Sequence, residues 1–339
     1  DLAKYRGKYD GGYEPVRKAR YERLIRMGMI RDTWKLSPQA GDWEAVKDKA
    51  WESRCMEVYA AMVDCMDQGI GRIVAELKKR GQLDNTLILF LQDNGGCAEG
   101  MGRGARKGAA AEAAPAAGPG QKPPLPPMKP DDLQLDMIPK QTRDGWPTRQ
   151  GPGVMPGPDG TYIGYGQAWA NVSNTPFREY KHWVHEGGIS TPLIVHWPAR
   201  VKDAGKLRSQ PGQLPDIMAT CVDAAGAEYP KTFAGNDIQP MEGKSLVPAF
   251  DDKPVVRDGL FWEHENNRAV RRGDWKLVKK AATDWELYDL ADDRTELHDL
   301  AAEKPELVKE LSELWNQWAV RCKVLPNTRP GANGKNKGK

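Results

Sequence analysis

An acid–amide pair directly after an apolar stretch is the first candidate for chemistry in this sequence. Asp93 and Asn94 follow the run Leu-Ile-Leu-Phe-Leu at 87–91 and precede two glycines. A carboxylate and an amide both offer oxygen atoms, the ligands that hard divalent cations such as Ca²⁺ or Mg²⁺ prefer. In an open α/β sheet, ligands collect beyond the carboxyl ends of the strands, and glycines allow a sharp backbone turn there. Asn-Gly is also the commonest tight hairpin turn, so the tetrapeptide alone leaves both interpretations open.

A lysine and a glycine pair precede a second apolar run. Lys181 begins the pattern Lys-x₄-Glu-Gly-Gly-x₃-Pro, which leads into Leu-Ile-Val-His-Trp at 193–197. A lysine ammonium on a glycine-rich approach to a strand can present a point charge to an oxyanion. The alternative is a solvent-exposed lysine on an ordinary loop.

Both motifs require strands set in an α/β body. Apolar residues recur every three or four positions between 59 and 77, which predicts a long helix with one buried stripe. The runs at 87–91 and 193–197 are typical of strands buried on both faces. After residue 251, short strands and a helix at 306–320 follow. The predicted fold class is α/β: a largely parallel or mixed central sheet flanked by helices, then a small C-terminal antiparallel sheet plus helix.

Composition divides the chain into four parts. Residues 101–160 are rich in Pro, Gly and Ala, which is typical of an insertion that buries no core of its own. Residues 1–100 and 161–250 then form the large α/β domain, and 251–322 form the small C-terminal subdomain. We expect 323–339, with its Gly, Asn and Lys, to be a flexible tail.

Charge, hydropathy and cysteine spacing exclude several function classes. The net charge is only +3 and no basic face is apparent, so no nucleic-acid partner is expected. No apolar run approaches the ~20 residues that a transmembrane helix needs. The five cysteines lack zinc-ligand spacing, and we expect Cys55 and Cys65 to be small buried residues of the long helix.

Taken in order, the two motifs resemble those of sulfatases of the alkaline phosphatase superfamily. Three further stretches are similar to that family: Lys-Tyr-Arg-Gly-Lys-Tyr-Asp at 4–10, the segment 269–277 and Glu-Leu-Tyr-Asp-Leu at 286–290. The resemblance covers nearly the whole chain except 101–160. It implies an arylsulfatase-type sulfuric ester hydrolase that uses Ca²⁺, with Mg²⁺ as the alternative ion, and acts on a small-molecule or glycan sulfate ester. Bacterial members of the family are often periplasmic or secreted, and the compartment of this protein is left open.

The resemblance also assigns roles to individual residues. Asp93 and Asn94 match the second pair of metal ligands, and Lys181 matches the lysine that contacts sulfate and stabilises charge on the bridging oxygen. His185 and His264 are further candidates for substrate binding, although relatives often carry an aromatic residue at the position of His185. We expect the remaining histidines to be structural.

The family's nucleophile motif has no match within residues 1–339. Sulfatases convert the Cys or Ser of Cys/Ser-x-Pro-x-Arg to formylglycine, and no Cys or Ser of this sequence lies in that pattern. In the family pattern the nucleophile, the first pair of metal-binding Asp residues and the general-acid histidine all precede the segment matched here. We therefore expect formylglycine upstream and expect this chain to be an inactive fragment.

Two other functions stay open. A phosphonate or phosphate monoester hydrolase of the same superfamily is one, since phosphonate relatives also use Asp-Asn, whereas two-zinc relatives place Asp-His there. A non-catalytic remnant that binds sulfated glycans is the other. An upstream Cys/Ser-x-Pro-x-Arg motif distinguishes an enzyme from such a remnant.

Overall fold

The computed structural model describes residues 1–104 and 121–326, and these fall into two compact units. The first unit comprises Asp1–Gly28, Leu36–Lys79 and Gly96–Lys181. The second unit comprises Met29–Lys35, Arg80–Gly95 and the chain from His182 onward. The boundary predicted at residue 251 does not coincide with a boundary between these units.

In the described residues of the first unit, three α-helices pack around an aromatic centre. They are α1 (Tyr13–Arg26), α2 (Lys49–Lys79) and α3 (Gly166–Ser173), and a short 3₁₀ helix at Leu2–Tyr5 packs on α2. Trp169 of α3 is fully buried and makes edge-to-face contacts with Tyr9, Tyr13 and Trp43. The segment 4–10 is tied to α2 through Lys4 and Tyr5, which both bond Asp64 Oδ2, at 2.5 and 2.8 Å.

The helix α2 confirms the long helix that the apolar spacing predicted, but the prediction that its apolar stripe is buried is wrong. Burial is concentrated near its start, at Trp51, Cys55 and Met56 among others, where its neighbours in the first unit cover it. Further along, the predicted stripe is largely exposed at four positions: Met62, Val63, Met66 and Ile73. Cys65 is exposed as well, contrary to expectation.

In the second unit, β1 (Ile88–Leu91) pairs antiparallel with β2 (Leu193–His196). Both strands were predicted, but not this pairing with each other. Within the described residues, the predicted central sheet corresponds to this antiparallel pair of strands. The prediction of a largely parallel or mixed sheet is therefore not confirmed. The expectation of burial on both faces is wrong, because β1 is half-buried and Ile194 of β2 is 60% exposed.

A four-stranded antiparallel meander with a helix on one face confirms the predicted C-terminal architecture. Its strands, in spatial and chain order, are β5 (Leu260–His264), β6 (Asn267–Arg272), β7 (Trp275–Lys279) and β8 (Glu286–Asp289). The helix α7 (Pro305–Arg321) buries Leu311, Trp315 and Ala319 against Val270, Leu277 and Leu287.

The opposite face of this sheet is also covered. Ala269, Val278 and Tyr288 pack there with Val184 and, at the margin, Ile189. The chain between Lys181 and β2, which includes the short helix α4 (Glu186–Ile189), therefore lies on the C-terminal sheet. The sheet is thus buried on both faces, whereas the sequence predicted a helix on one.

The remaining elements are short. They are a 3₁₀ helix at Leu83–Asn85, α5 (Pro215–Ala224), β3 (Thr232–Phe233), β4 (Asn236–Asp237) and α6 (Val247–Phe250). No helix within 1–104 and 121–326 combines the length and the apolar character of a membrane span.

The described part of the predicted insertion packs more than its composition suggests. It carries only isolated bridges, Gln141 with Pro147 and Arg149 with Thr161. Val154 is nevertheless buried, and its carbonyl accepts a hydrogen bond of 2.8 Å from Trp51 Nε1. Residues 105–120 of the insertion, and 327–339 of the predicted tail, lie outside the described residues.

Candidate functional site

The exit of β1 and the entrance to β2 lie at the same end of the strand pair. Their antiparallel register sets Leu91 opposite Leu193. Just beyond that pair, Thr191 Oγ1 donates a 2.8 Å hydrogen bond to the carbonyl of Gln92. The loop that carries Asp93 is therefore held beside the segment that leads into β2.

Glycine is required where these two segments touch. Gly95 N donates a 2.9 Å hydrogen bond to the carbonyl of Gly188. A Cβ on Gly95 would lie 1.8 Å from the carbonyl oxygen of Gly187, so any larger residue would force the backbones apart. Since β1 pairs with the distant strand β2, the tight-hairpin interpretation of the tetrapeptide is wrong.

The side-chain oxygens of the acid–amide pair are left without donors. Asp93 is exposed, and within 1–104 and 121–326 its carboxylate has neither a hydrogen bond nor an ion pair. Asn94 turns its Nδ2 to the carbonyl of Gly95 at 2.9 Å, and its Oδ1 accepts no hydrogen bond from the same set of residues. Three neighbouring donor-free oxygens, the two of the Asp93 carboxylate and Oδ1 of Asn94, fit a hard cation such as Ca²⁺. They are too few to hold it firmly, because Ca²⁺ takes six to eight oxygen ligands.

Lys181 belongs to the first unit, where its backbone is fixed and its ammonium is accessible. Its N–H donates a 3.0 Å hydrogen bond to the carbonyl of Gly96, whose own N–H donates to Asn174 Oδ1 at 2.8 Å. The side chain is 41% exposed, and its ammonium lies 3.5 Å from Glu99 Oε1. The convergence of Lys181 with Asp93 and Asn94 on one anion pocket stays a prediction.

His185, in contrast, is enclosed by the C-terminal sheet. Its side chain is fully buried, and Nε2 lies 3.1 Å from Glu286 Oε2, which also accepts a 2.7 Å hydrogen bond from the hydroxyl of Tyr288. Substrate contact by His185 stays a prediction, and this burial does not favour it.

His264 lies at the surface beside a second histidine. Its ring is 5.3 Å from that of His182, centroid to centroid, and Nδ1 of His182 is 3.3 Å from Glu265 Oε2. The sequence did not predict that His182 and His264 lie side by side, because they belong to segments that are distant along the chain.

A buried ion cluster, which the sequence did not predict, fixes the segment between Lys181 and β2. The cluster consists of Glu186, Lys276, Arg294 and Glu296. Lys276 of β7 is fully buried and donates a 2.9 Å hydrogen bond to Glu186 Oε1. Its Nζ also lies 2.8 Å from Glu296 Oε1, though off the hydrogen-bonding direction, so that contact is purely ionic.

The remaining atoms of Glu186 are also paired. Arg294 Nε donates to Glu186 Oε2 at 3.0 Å, and the backbone N–H of Glu186 donates to Glu296 Oε2 at 2.8 Å. Burial raises the pKa of the Glu186 carboxyl, but the charges of Lys276 and Arg294 outweigh burial and lower that pKa below its ordinary value. Glu186 is therefore a charged anchor inside the second unit.

Two sequence families match this chain. The Sulfatase family matches residues 3–227, and the family described as N-sulphoglucosamine sulphohydrolase, C-terminal, matches residues 178–320. An uncharacterized sulfatase of Schizosaccharomyces pombe is 32% identical over 82% of this chain and 46% of its own length. An arylsulfatase of Klebsiella aerogenes is 30% identical over 72% of this chain and 46% of its own length. The chain thus spans about half the length of these curated relatives.

A solved structure shares the fold. The crystal structure of Ps i-CgsB matches with a TM-score of 0.51 at 20% identity, over 96% of this chain and 61% of that one. At this identity the likeness concerns the fold alone.

Proposed function

The chain belongs to the sulfatase family, and from that premise we propose that it carries the metal-binding and anion-binding side of a sulfate-ester hydrolase. The observation that carries the proposal is the set of donor-free side-chain oxygens on Asp93 and Asn94, on a loop held by the contact between Gly95 and Gly188. The substrate we propose is a sulfate ester of a small molecule or of a glycan. The match of residues 178–320 to the N-sulphoglucosamine sulphohydrolase family supports including glycans.

Asp93 and Asn94 would hold Ca²⁺ together with ligands that these two residues do not supply. A bound Ca²⁺ neutralises and orients sulfate oxygens. Mg²⁺ is the less suitable ion, because it demands a nearly ideal octahedral set of ligands at shorter distances. The neutral amide of Asn94 also disfavours a zinc pair, for which an imidazole is the usual ligand.

Lys181 would oppose the negative charge that develops on the leaving oxygen of the ester. Its side chain is partly exposed, and the one ion pair that it makes among residues 1–104 and 121–326, with Glu99, is long at 3.5 Å. A substrate anion can therefore replace that partner at small cost, because exposed ion pairs contribute little. A preorganised charge of this kind typically contributes a factor of about 10²–10³ to the rate.

Residues 1–339 contain no Cys/Ser-x-Pro-x-Arg segment, and we propose that they do not hydrolyse a sulfate ester alone. The purified chain, supplied with Ca²⁺ and an aryl sulfate, is expected to give no turnover above that of buffer. Reproducible turnover that follows the chain through purification would contradict this proposal.

The role of Lys181 can be tested in an enzyme that also carries a Cys/Ser-x-Pro-x-Arg segment ahead of residue 1. Lys181→Ala should lower kcat for an aryl sulfate by about 10²-fold. The control is Lys140→Ala, at an exposed lysine whose partner is Asp136, and it should leave kcat unchanged. Equal kcat in both variants would remove Lys181 from the site, and a higher kcat/KM for an aryl phosphonate monoester would replace sulfate as the substrate.

A further inference from the structure

Two imidazoles and a carboxylate meet at the surface of the second unit. The candidate ligand atoms of His182, His264 and Glu265 all lie within 4.8 Å of one another. The two rings are nearly perpendicular, at 83°, and His182 Nδ1 lies 3.3 Å from Glu265 Oε2. This cluster does not include Asp93, Asn94 or Lys181, and substrate binding by His264 stays a prediction.

The backbone that presents these side chains is strained in three places. Glu265 and Asn266 form the two-residue connection between β5 and β6, and both have positive φ, of 51° and 70°. Such a turn normally takes Asn-Gly or Asp-Gly, because a glutamate pays a steric cost there. His182 also has a positive φ, of 92°. Strain of this kind persists only where surrounding structure fixes it, and it is concentrated at ligand-binding positions.

The fixing contact comes from one buried amide. Asn267 is almost fully buried, and its Nδ2 donates to the carbonyl of His264 at 2.8 Å and to that of His182 at 3.3 Å. Its Oδ1 accepts a 3.2 Å hydrogen bond from the N–H of Ala281. The Asn267 side chain therefore links the backbones of both histidines and fixes the distance between them, so that both imidazoles can reach one ligand.

The chemistry of this set selects a transition metal. Neutral imidazole nitrogen suits Zn²⁺, and two histidines plus one carboxylate are a known ligand set of zinc sites with an open fourth position. The ligand atoms of tetrahedral Zn²⁺ lie about 3.3 Å apart, and the present separations, all within 4.8 Å, must contract by at most roughly 1.5 Å. Because the side chains of His264 and Glu265 are exposed, rotamer changes can supply that contraction.

We propose that His182, His264 and Glu265 form a Zn²⁺ site with one open coordination position. The site differs in chemistry from the Asp93 and Asn94 pair, which offers only oxygen. It also joins the segment that follows Lys181 to the β5–β6 hairpin, so bound Zn²⁺ stabilises the second unit.

Zinc binding by the 339-residue chain tests this inference. The metal-free protein, with its reactive thiols blocked by iodoacetamide, is titrated with Zn²⁺ against a fluorescent chelator. One equivalent of Zn²⁺ should bind, and His264→Ala should weaken its binding at least 10-fold. His298→Ala serves as the control, because His298 is exposed in the same unit and 4.0 Å from Glu303.

Thermal unfolding without metal verifies that both variants fold like the parent chain. Zn²⁺ should then raise the Tm of the parent chain and of His298→Ala, but not of His264→Ala. Zn²⁺ affinity that is equal in all three proteins, or absent from the parent, would overturn the proposal.

Discussion

Glu186 and Asp93 are two carboxylates of the second unit that differ in burial and in pairing. Glu186 is buried, and both of its oxygens are paired with cations, those of Lys276 and Arg294. Asp93 is exposed, and across residues 1–104 and 121–326 its oxygens have no partner. The difference separates a charge that holds the fold from a charge that remains available to a ligand.

The two regions are nevertheless joined through glycine. Glu186 begins the helix α4, and the next residues, Gly187 and Gly188, form the surface that the backbone of Gly95 touches. The buried ion cluster thus fixes the segment against which the loop of Asp93 and Asn94 lies. The paired charge of Glu186 makes its own segment rigid, while the side-chain oxygens of Asp93 and Asn94 stay without protein donors among the described residues.

The largest effect should come from removing the central cation of the cluster. Lys276→Met leaves the buried carboxylates of Glu186 and Glu296 without their shared ammonium, which should cost about 3–5 kcal/mol of unfolding free energy. Urea unfolding of the full chain measures it. Lys279→Met, on the same strand but half-buried, should cost less than about 1 kcal/mol. Similar losses in the two variants would show that Lys276 has no special structural role.

Acidification should weaken the same cluster. Glu186→Gln should cost about 1.5–3 kcal/mol near neutral pH, because two cations lose a charged acceptor. The folded state lowers the pKa of Glu186 from 4.5 to about 2, so its contribution is complete above pH 4.5 and is lost as pH falls toward 2. The stability difference between parent and variant should therefore shrink across that window.

The matched control for this pH dependence is Glu228→Gln, at an exposed position. The free energy of unfolding of Glu228→Gln should differ from that of the parent chain by close to zero at every pH between 2 and neutral. A Glu186→Gln difference that stays constant down to pH 2 would mean that the charge of Glu186 does not stabilise the fold.

Local patterns in the sequence predicted elements well, and the acid–amide motif was found from residue order alone. The strands β5–β8 and the helix α7 follow from alternation and helical spacing. The cluster escaped prediction because Lys276, inside a strand, has the appearance of a solvent-facing residue. Its burial depends on Glu186 and Glu296, which lie on other segments, and no local pattern contains that information.

Pairing and exposure were the other weak points. The apolar runs of β1 and β2 predicted strands, but an apolar run does not specify which partner a strand takes or how deeply it is buried. The same holds for α2, whose period was correct and whose buried portion was not. The proximity of His182 and His264 likewise depends on contacts between segments that are distant in sequence.

A methyl group at Gly95 should disturb the contact between the loop of Asp93 and the segment that begins at Glu186. Gly95→Ala places its Cβ against the carbonyl of Gly187 and should cost about 1–3 kcal/mol through forced separation of the backbones. The control Gly100→Ala meets no atom within 4 Å and should stay near parent stability in the same urea assay. An unchanged Gly95→Ala would show that the two segments can part freely.

The smallest stability effect is expected at the free carboxylate itself, where the comparison with Glu186 is sharpest. Asp93→Asn makes the same carboxylate-to-amide change as Glu186→Gln, yet it should alter unfolding free energy by less than about 0.5 kcal/mol, because no protein partner is lost. Its effect should be on metal instead. Ca²⁺ at about 10 mM, a concentration suited to a weak oxygen site, should raise the Tm of the parent chain and not that of Asp93→Asn.

Asp84→Asn is the matched control, since Asp84 is an exposed aspartate close to the start of β1. It should keep both the parent stability and the response to Ca²⁺. If Asp93→Asn were as destabilising as Glu186→Gln, then Asp93 would be a structural charge and the contrast between the two carboxylates would fail. If Ca²⁺ stabilised all three proteins equally, the metal would bind elsewhere, and the free oxygens of Asp93 and Asn94 would need a different ligand.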